Sequence, residues 1–396
     1  MKLEQSITVT FHYEVHFTQD VFGPDNDVLC DVLIGKRPRV LVFVDSGLEQ
    51  ANPSIRKGIR DWFDAHEEQF EAYDPLVVAG GESCKNDPRH YLEAVEAMAA
   101  HGLDRHSYVL IVGGGAVLDT VGFAASTAHR GIRHVRIPTT VLSQNDSGIG
   151  VKNGINFAGM KNFLGTFTPP WAVVNDLHFL RTLTLRDWIA GIAEAFKVAI
   201  IKDGQFLSFL IANASALRRR DEEAMGRLIQ QCAKLHADHI RESCDPFEAS
   251  SARPLDFGHW SAHHLEVLSD HELRHGEAVA IGIALDTTIA RNRRLISDGE
   301  HKIVLDALRA TGLPLWHPTL QHLDESGTPA LYRGLEEFRQ HLGGELTLAM
   351  PKGLGHRCQV TDLSYDEIEL ALRELTSLQE TLDHETRKRQ PSHVLP

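Results

Sequence analysis

Short apolar runs that alternate with helix-like stretches constrain the fold of this chain more than any other feature. The runs occupy residues 39–45, 75–79, 108–112, 134–138 and 171–175. Between them, residues 52–73 and 88–101 place apolar side chains at a spacing near 3.6, which is typical of helices. Continuous apolar strands separated by helices indicate a parallel sheet covered on both faces. We therefore predict an α/β nucleotide-binding domain over residues 1–184.

The second half of the chain has a different pattern, which predicts an all-α domain. Helical periodicity is nearly continuous after residue 185 and marks segments 188–202, 205–217, 222–242, 259–268 and 277–295. Small residues at 244–254 predict a loop, and residues 346–350 predict one isolated strand. We place the helical domain at residues 185–384 and a frayed tail at 385–396.

The composition argues against several classes of protein. The chain has 396 residues, a formal net charge of -14 and no apolar run near the roughly 20 residues of a membrane helix. An acidic chain repels nucleic-acid phosphates. Five widely spaced cysteines without a CxxC pattern argue against both a disulfide framework and a thiolate zinc site. The first residues do not resemble a signal peptide, so we expect a cytoplasmic protein that binds neither membrane nor nucleic acid.

A glycine-rich turn at 113–115 follows the apolar run 108–112 and precedes a helix-like segment that contains Asp119. Glycines let the backbone approach a phosphate closely, and a helix N-terminus offers it free N–H groups. Asp45 suits a ribose hydroxyl, and residues 80–82 with Lys85 end the second strand in a similar way. An ordinary turn and a strand-end cap would explain the same residues singly, so the nucleotide hypothesis rests on their combination.

Three residues in helix-forming sequence offer ligands for one divalent cation, namely Glu194, His259 and His275. Imidazole and carboxylate groups suit zinc or a similar ion, and three protein ligands leave a position open for substrate oxygens. A single histidine on a helix is more often a packed or surface group. His263 and His264 remain alternative ligands. Glu194 shares a helical face with Lys197, and neither ionisable group fits an apolar core easily, which supports the metal site.

Three further cationic or amide side chains point to a phosphorylated substrate. Two glycine-flanked loops carry Lys152 and Lys161-Asn162. Each lysine alone would be an ordinary surface residue, but cations beside a nucleotide turn in an acidic protein suit an anionic phosphate group.

In order along the chain, these segments resemble the motifs of 3-dehydroquinate synthase and its relatives, the sugar phosphate cyclases. The resemblance covers roughly residues 40–355. It is carried by GGGAVLD at 113–119, Arg130-Gly131, PTT at 138–140, Asp146, Lys152, Lys161-Asn162, LRTL at 180–183, GIAEAFK at 191–197, FGH at 257–259 and HGEAV at 275–279.

The resemblance implies NAD in the N-terminal domain, a zinc or cobalt ion held by Glu194, His259 and His275, and a homodimer. The cofactor-binding set that it implies is Asp45, Gly81, Glu82, Lys85, Gly114, Gly115, Ala116, Asp119, Thr139, Thr140, Leu142, Lys161, Thr182 and Leu183. It implies active-site roles for Arg130, Asp146, Lys152, Lys161, Asn162, Lys197 and His263. Lys234 and Asp256 are further candidates for reading substrate identity.

Departures from the quinate-forming pattern point to a different substrate. In that branch an Arg and an Asn before the Gly-His pair hold the substrate carboxylate, whereas this chain has Ala252 and Asp256 there. Arg253 compensates only if the loop shifts. An anionic Asp256 beside a carboxylate would cost about a few kcal/mol, whereas it accepts hydrogen bonds from sugar hydroxyls without that penalty. A substrate with a neutral polyol end therefore fits better.

Segments 253–261 and 334–347 are similar to the branch that cyclises sedoheptulose 7-phosphate to C7 cyclitols such as 2-epi-5-epi-valiolone. Valiolone-type enzymes often replace the histidine at the place of His263, so the product within this branch stays open. The expected chemistry is transient oxidation, phosphate elimination, reduction and intramolecular aldol closure, dependent on NAD and a metal. The alternatives are 3-dehydroquinate synthase itself, a metal-dependent polyol dehydrogenase and a non-catalytic binding protein.

Overall fold

The computed structural model describes residues 1–158, 160–242, 247, 255–341 and 344–389. The chain divides into two compact units. Unit 1 comprises Met1–Thr184 and His239–Arg241, and unit 2 comprises Leu185–Asp238 and Glu242–Pro396. Unit 1 is α/β and unit 2 is mainly helical, which confirms the fold class predicted from the sequence.

Unit 1 is built on a parallel sheet. The strands of unit 1 are β1 (Glu14–Thr18), β2 (Arg39–Asp45), β3 (Glu71–Ala72), β4 (Leu76–Val78), β5 (Tyr108–Gly113), β6 (Arg133–Pro138), β7 (Lys152–Phe157), β8 (Met160–Phe167) and β9 (Ala172–Asp176). Strands β7 and β8 form a separate two-stranded sheet. The order across the main sheet is β1-β9-β6-β5-β2-β3, with β4 also paired to β2. All of these described pairs are parallel.

Helices cover both faces of this sheet. They are α1 (Val28–Val32), α2 (Ser46–Ala51), α3 (Ile55–Ala65), α4 (Ser83–Asn86), α5 (Pro88–Ala100) and α6 (Gly115–Thr127). Alternate residues of β2 enter different cores: Val42 packs in the cluster that contains Trp62 of α3, and Phe43 packs in the cluster that contains Val121 of α6. Burial on both faces explains the nearly continuous apolar runs in the sequence.

The carboxyl ends of the parallel strands lie along one edge of the sheet. Strands β2, β5 and β6 end at Asp45, Gly113 and Pro138, and β4 ends just before Gly80. This edge therefore collects the glycine turn, the acidic strand end and the Thr139-Thr140 pair. It is the edge at which open α/β sheets bind their ligands.

The two lysine-bearing segments were predicted as loops, and that prediction is wrong. They form the antiparallel strands β7 and β8, in which Lys152 is opposite Phe167. Gly154 and Gly165 lie opposite each other, and a Cβ added to Gly154 would lie only 2.6 Å from the Leu164 carbonyl oxygen. Gly165, which suggested a loop, instead faces Gly154 and permits the close approach of two strands.

The described residues of unit 2 form mainly helices, with a small hairpin. The helices are α7 (Leu185–Ala190), α8 (Ile192–Lys202), α9 (Gly204–Arg218), α10 (Glu222–Glu242), α11 (His259–Leu268), α12 (His275–Asn292), α13 (Asp298–Thr311), α14 (Leu331–His341) and α15 (Tyr365–Arg389). The strand predicted as isolated, β10 (Leu348–Pro351), pairs with β11 (Arg357–Val360). Residues 385–389, predicted as tail, continue α15, while 390–396, like Ala252 and Arg253, lie outside the described residues.

Helix α12 is the most buried long helix of unit 2 and carries His275 at its first position. Each residue from Ala278 to Ala290 is buried, as expected for a helix that is packed on all sides. In the described part of the chain, no helix combines the length and apolar character needed to cross a membrane.

Candidate active-site residues

Glu194 and Lys197 form a buried ion pair on α8. The Glu194 side chain is fully buried, that of Lys197 is 4% exposed, and Lys197 Nζ lies 2.5 Å from Glu194 Oε2. Burial alone would raise the pKa of Glu194, but Lys197 and then His259 outweigh that effect and hold the pKa well below its usual range. Burying both charges costs solvation energy, so the pair is better explained by a functional demand than by a gain in stability.

The side chains of Glu194, His259 and His275 converge, and we call these three side chains the ligand group. Glu194 Oε1 lies 3.1 Å from His275 Nε2 and 3.5 Å from His259 Nε2. One ligand atom from each residue lies within 4.8 Å of the other two, and no second group of this kind occurs among the described residues. Two imidazole nitrogens and one carboxylate oxygen are a donor set that fits a zinc-type cation with coordination left open.

The start of α11 is held in place by α12. Gly258 precedes His259 and has φ 77°, and a Cβ there would lie 2.8 Å from the Ile283 backbone nitrogen. Both its conformation and its close approach therefore require glycine. The fully buried Asp286 accepts hydrogen bonds from Gly258 N at 2.9 Å and from Trp260 Nε1 at 2.8 Å. His259 and His275 thus begin two helices that are hydrogen-bonded together.

A second partner orients each imidazole. His259 Nδ1 lies 3.1 Å from the Phe257 carbonyl oxygen, and because a carbonyl only accepts, Nδ1 carries the proton. His275 Nδ1 lies 2.5 Å from Oε1 of Glu266, whose side chain is 4% exposed. Both contacts leave Nε2 directed at Glu194, which is the arrangement that metal-binding histidines use.

Glu266 was missed by the sequence analysis. It is seven residues after His259, two turns along α11, and it is a buried acidic residue between Leu265 and Val267. An acidic group on the same helical face as a candidate ligand was the available signal, although its partner His275 lies on another helix.

The two alternative ligands are placed differently. The His263 ring centroid is 5.4 Å from that of His259 and 5.9 Å from that of His275, so a third imidazole adjoins the ligand group. His264 is buried instead against α14, with Nδ1 3.1 Å from Glu337 Oε2. His263 therefore lies beside the ligand group, where its role in proton relay stays a prediction, whereas His264 contacts α14.

In unit 1, Asp45 is both a helix cap and part of the sheet edge. Its Oδ1 accepts a hydrogen bond from Gly47 N at 2.8 Å, and its Oδ2 accepts one from Gly114 N at 3.3 Å. A Cβ added to Gly80 would lie 2.1 Å from Asp45 Oδ1, so the carboxylate occupies the space between the glycine turns. The cap explanation is therefore correct for Asp45, while its role toward a ribose stays a prediction.

A polar network joins the predicted cofactor and phosphate residues. Lys85, with a side chain only 5% exposed, places Nζ 2.6 Å from Asp119 Oδ2 and also donates a hydrogen bond to Asn162 Oδ1. Lys161 Nζ lies 3.9 Å from Oε1 of Glu82. The network thus connects helices α4 and α6 with strand β8, although Lys85 and Asn162 are 77 residues apart in sequence.

The remaining predicted residues of unit 1 line this edge or lie beyond it. Thr139 N donates to Gly113 O at 3.0 Å, and Leu142 and Asp146 belong to the turn between β6 and β7. The other positions of the predicted set are Gly81, Gly115 and Ala116 at helix starts or turns, Thr140 bonded to Ser143, and Thr182 and Leu183 at the end of a short helix after β9. Arg130 is exposed, with φ 62°.

The two candidates for substrate identity lie in unit 2. Lys234 is exposed and pairs with Asp238 one turn away on α10. Asp256 is half-buried, and its carbonyl oxygen accepts a hydrogen bond from His259 N at 3.1 Å. Asp256 is therefore attached through the backbone to a candidate ligand, whereas Lys234 has an ordinary helical ion pair.

Comparison with known protein families identifies two matching models. The model described as 3-dehydroquinate synthase N-terminal matches residues 75–190. The model described as 3-dehydroquinate synthase C-terminal matches residues 191–330. The match includes the acidic and histidine residues that converge in unit 2.

Individual relatives show which members of the family this chain is similar to. The chain is 35% identical to the 2-epi-5-epi-valiolone synthase of Streptomyces glaucescens over 87% of this chain and 85% of the relative. It is 33% identical to the 2-epi-valiolone synthase of Actinosynnema mirum over 94% of both chains. Among solved structures, the 2-epi-5-epi-valiolone synthase of Streptomyces hygroscopicus subsp. jinggangensis 5008, with NAD+ and Zn2+ bound, aligns with a TM-score of 0.85 and 31% identity, covering 95% of this chain and 99% of that one.

Proposed function

Because the chain belongs to the 3-dehydroquinate synthase family of sugar phosphate cyclases, we propose that it converts sedoheptulose 7-phosphate to a C7 cyclitol. The reaction depends on NAD and a zinc or cobalt ion and releases inorganic phosphate. The convergence of Glu194, His259 and His275 carries this proposal, because a relative of the same fold binds Zn2+ and NAD+. Identity to valiolone synthases supports the choice of substrate.

The bound groups supply two kinds of chemistry. When bound, NAD would accept a hydride from the carbon that bears a secondary hydroxyl, whose oxygen loses its proton, and would return the hydride later, while a cation held by Glu194, His259 and His275 would polarise substrate oxygens. Oxidation makes the adjacent C–H acidic, which permits elimination of phosphate. After the hydride returns, ring opening and aldol closure form the carbocycle, so the net reaction leaves NAD unchanged.

The protein's own side chains bind, orient and move protons. Lys152, Lys161 and Asn162 hold the phosphate or the ring, since cationic and amide groups donate to its oxygens. Asp146 and Lys197 contact the reacting hydroxyls, and His263 relays a proton. Arg130 adds a cation to the active site, and Asp256 accepts hydrogen bonds from the neutral end of the sugar in place of a carboxylate-binding group.

The two units take different parts in this proposal. Residues 1–184 bind NAD through the sheet edge and supply the phosphate-binding lysines, and residues 185–384 bind the metal and supply further substrate contacts. We also propose that the enzyme is a homodimer. Mass measurement of the native protein at micromolar concentration tests this, and a mass of one chain would contradict it.

The decisive experiment supplies sedoheptulose 7-phosphate to the purified protein with substoichiometric NAD and Zn2+ or Co2+. We expect one phosphate per substrate consumed, no lasting increase in NADH absorbance, and a cyclitol identified by NMR. Turnover of only the seven-carbon phosphorylated keto acid of the shikimate pathway would assign 3-dehydroquinate synthase instead. NADH formed in proportion to the substrate consumed would indicate a polyol dehydrogenase. Failure to bind both metal and NAD would indicate a non-catalytic binding protein.

A further inference from the structure

The chain between Asp146 and Lys152 is irregular, but its carbonyl groups are all engaged. Each carbonyl oxygen from residue 147 to residue 152 accepts a hydrogen bond. Tyr13 Oη donates to the carbonyl oxygen of residue 149 at 3.0 Å, and Thr168 N donates to that of residue 151 at 2.8 Å. The other four bind a single side chain, that of Arg136 on β6.

Arg136 is fully buried and uses its terminal nitrogens on this segment. Nη1 donates to the carbonyl oxygens of residues 147, 148 and 150 at 3.4, 3.0 and 2.6 Å. Nη2 donates to the Lys152 carbonyl oxygen at 2.9 Å and to Asn153 Oδ1 at 2.8 Å. In the described part of the chain Arg136 has no carboxylate ion pair, so carbonyl oxygens take the place of a counter-ion.

A guanidinium is costly to bury, and only a planar fork with several donors can satisfy this many acceptors at once. The burial of Arg136 is therefore explained by the hydrogen bonds that it donates to these carbonyl oxygens. Residues 148–151 lie between a short π-helix (Ser143–Ser147) and β7, and the four hydrogen bonds from Arg136 to carbonyl oxygens fix much of the path between them. Asn153 extends the contact, since its Nδ2 donates to Thr168 O at 3.0 Å.

We propose that Arg136 is a positioning residue that sets the relative placement of Asp146 and Lys152. This inference rests on the proposed function, in which both side chains act on the substrate. Arg136 touches neither reacting group. It draws the carbonyls of the segment inward, which leaves the Lys152 side chain exposed while Asn153 next to it is buried.

The test compares Arg136→Lys and Arg136→Met with the wild type. We expect kcat to fall about 100-fold in both variants, the loss typical of a displacement near 1 Å, while KM and NAD affinity change less than about threefold. Arg136→Lys keeps the charge but loses the fork, so a lysine variant close to wild type would overturn the proposal. Hydrogen exchange of the amides of residues 146–153 should become faster in both variants.

The matched control is His134→Leu. His134 is buried two residues earlier on the same strand, and its Nε2 has no hydrogen-bond partner among the described residues, so this variant alters the core without touching the segment. Its kcat and its exchange in residues 146–153 should equal those of the wild type. An equal loss in His134→Leu would reduce the Arg136 effect to a general core defect and overturn the proposal.

Two outcomes separate this inference from the proposed function. If the wild type forms no cyclitol, the proposed function fails, and hydrogen exchange alone decides whether Arg136 orders the segment. If the Arg136 variants do not fold, Tyr13→Phe is the second variant. It removes one hydrogen bond to the same segment and leaves no buried charge unpaired. We expect a several-fold lower kcat and faster exchange in Tyr13→Phe, and unchanged values of both would overturn the proposal.

Discussion

The ligand group of unit 2 and the sheet edge of unit 1 are built by different means. In unit 2, three side chains supply all the ligand atoms, and each imidazole is oriented by a second hydrogen bond. In unit 1, much of the edge is main chain: glycine turns, helix N-termini and strand ends, with Asp45 packed between them. In the proposed function, coordination therefore depends on a few atoms, whereas nucleotide binding would be distributed over many backbone groups.

This difference predicts how each region responds to substitution. Removal of one of the three candidate ligand atoms removes a large share of the metal-binding free energy, because each atom provides a large part of the coordination. Removal of one side chain from the sheet edge leaves the backbone N–H groups in place. We therefore expect large effects on activity from single changes in unit 2 and smaller, graded effects from single changes in unit 1.

The largest effect should come from His275→Ala. Since metal polarisation contributes several kcal/mol to catalysis, and 1.36 kcal/mol is a factor of ten, we expect kcat/KM to fall at least about 1,000-fold with loss of bound metal. Metal content by mass spectrometry and phosphate release measure this. His264→Ala is the control, because His264 contacts Glu337 outside the ligand group and should leave the metal content unchanged.

Glu266→Gln should have the next largest effect. It keeps the volume of the side chain but weakens the hydrogen bond to His275 Nδ1, so we expect metal affinity to fall by about 10- to 100-fold. Competition with a chelator measures the affinity. Glu337→Gln changes a similar carboxylate beside His264 and should have no effect on it. Equal metal affinity in wild type and Glu266→Gln would mean that the ligands are oriented by packing alone.

Much of the fold and the ligand group followed from local sequence. Unbroken apolar runs indicate a parallel sheet because both faces of such a strand are buried, and β2 and β5 are buried in this way. Glu194, His259 and His275, which converge in the structure, were predicted as ligands because such residues rarely occur together in apolar helical sequence. These signals are local and depend on residue type.

Contacts between distant segments could not be predicted in this way. Glu266 and His275 lie on different helices, and the Lys85–Asn162 contact joins residues far apart in sequence. Strand β8 was mistaken for a loop because its single glycine, Gly165, is explained only by the opposite strand. Strand β11 is short and half polar, so its pairing with β10 has no strong sequence signal. Tertiary context decides in each case.

A third prediction tests how the start of α11 is fixed. Burial raises the pKa of Asp286 from 3.8 to about 7, with its hydrogen bonds to Trp260 and Gly258 opposing the shift. The folded chain then binds this proton more tightly than the unfolded chain, so stability falls as pH rises from about 4 to about 7 and is level above that. At roughly 1.4 kcal/mol per pKa unit, the loss is a few kcal/mol.

Asp286→Asn removes this titration. Urea unfolding of both proteins at pH 5 and pH 8 should show wild-type stability decreasing relative to the variant as pH rises. A constant difference between them would mean that Asp286 ionises at the same pH in the folded and unfolded chains. The side chain would then fix the start of α11 at no cost in stability.

The smallest effect should come from Asp119→Asn, which tests the graded response of unit 1. The Lys85 ammonium is buried but Asp119 is 22% exposed, so we expect a loss of about 2 kcal/mol in the free energy of unfolding, less than a wholly buried pair costs. NAD affinity, measured by fluorescence titration, should fall only several-fold because the Gly114–Ala116 backbone groups remain. Asp61→Asn breaks the exposed Lys57–Asp61 pair and should change stability by less than about 1 kcal/mol and NAD affinity not at all. Complete loss of NAD binding in Asp119→Asn would show that this edge, like the metal ligands, depends on one side chain, and the contrast between the two units would no longer hold.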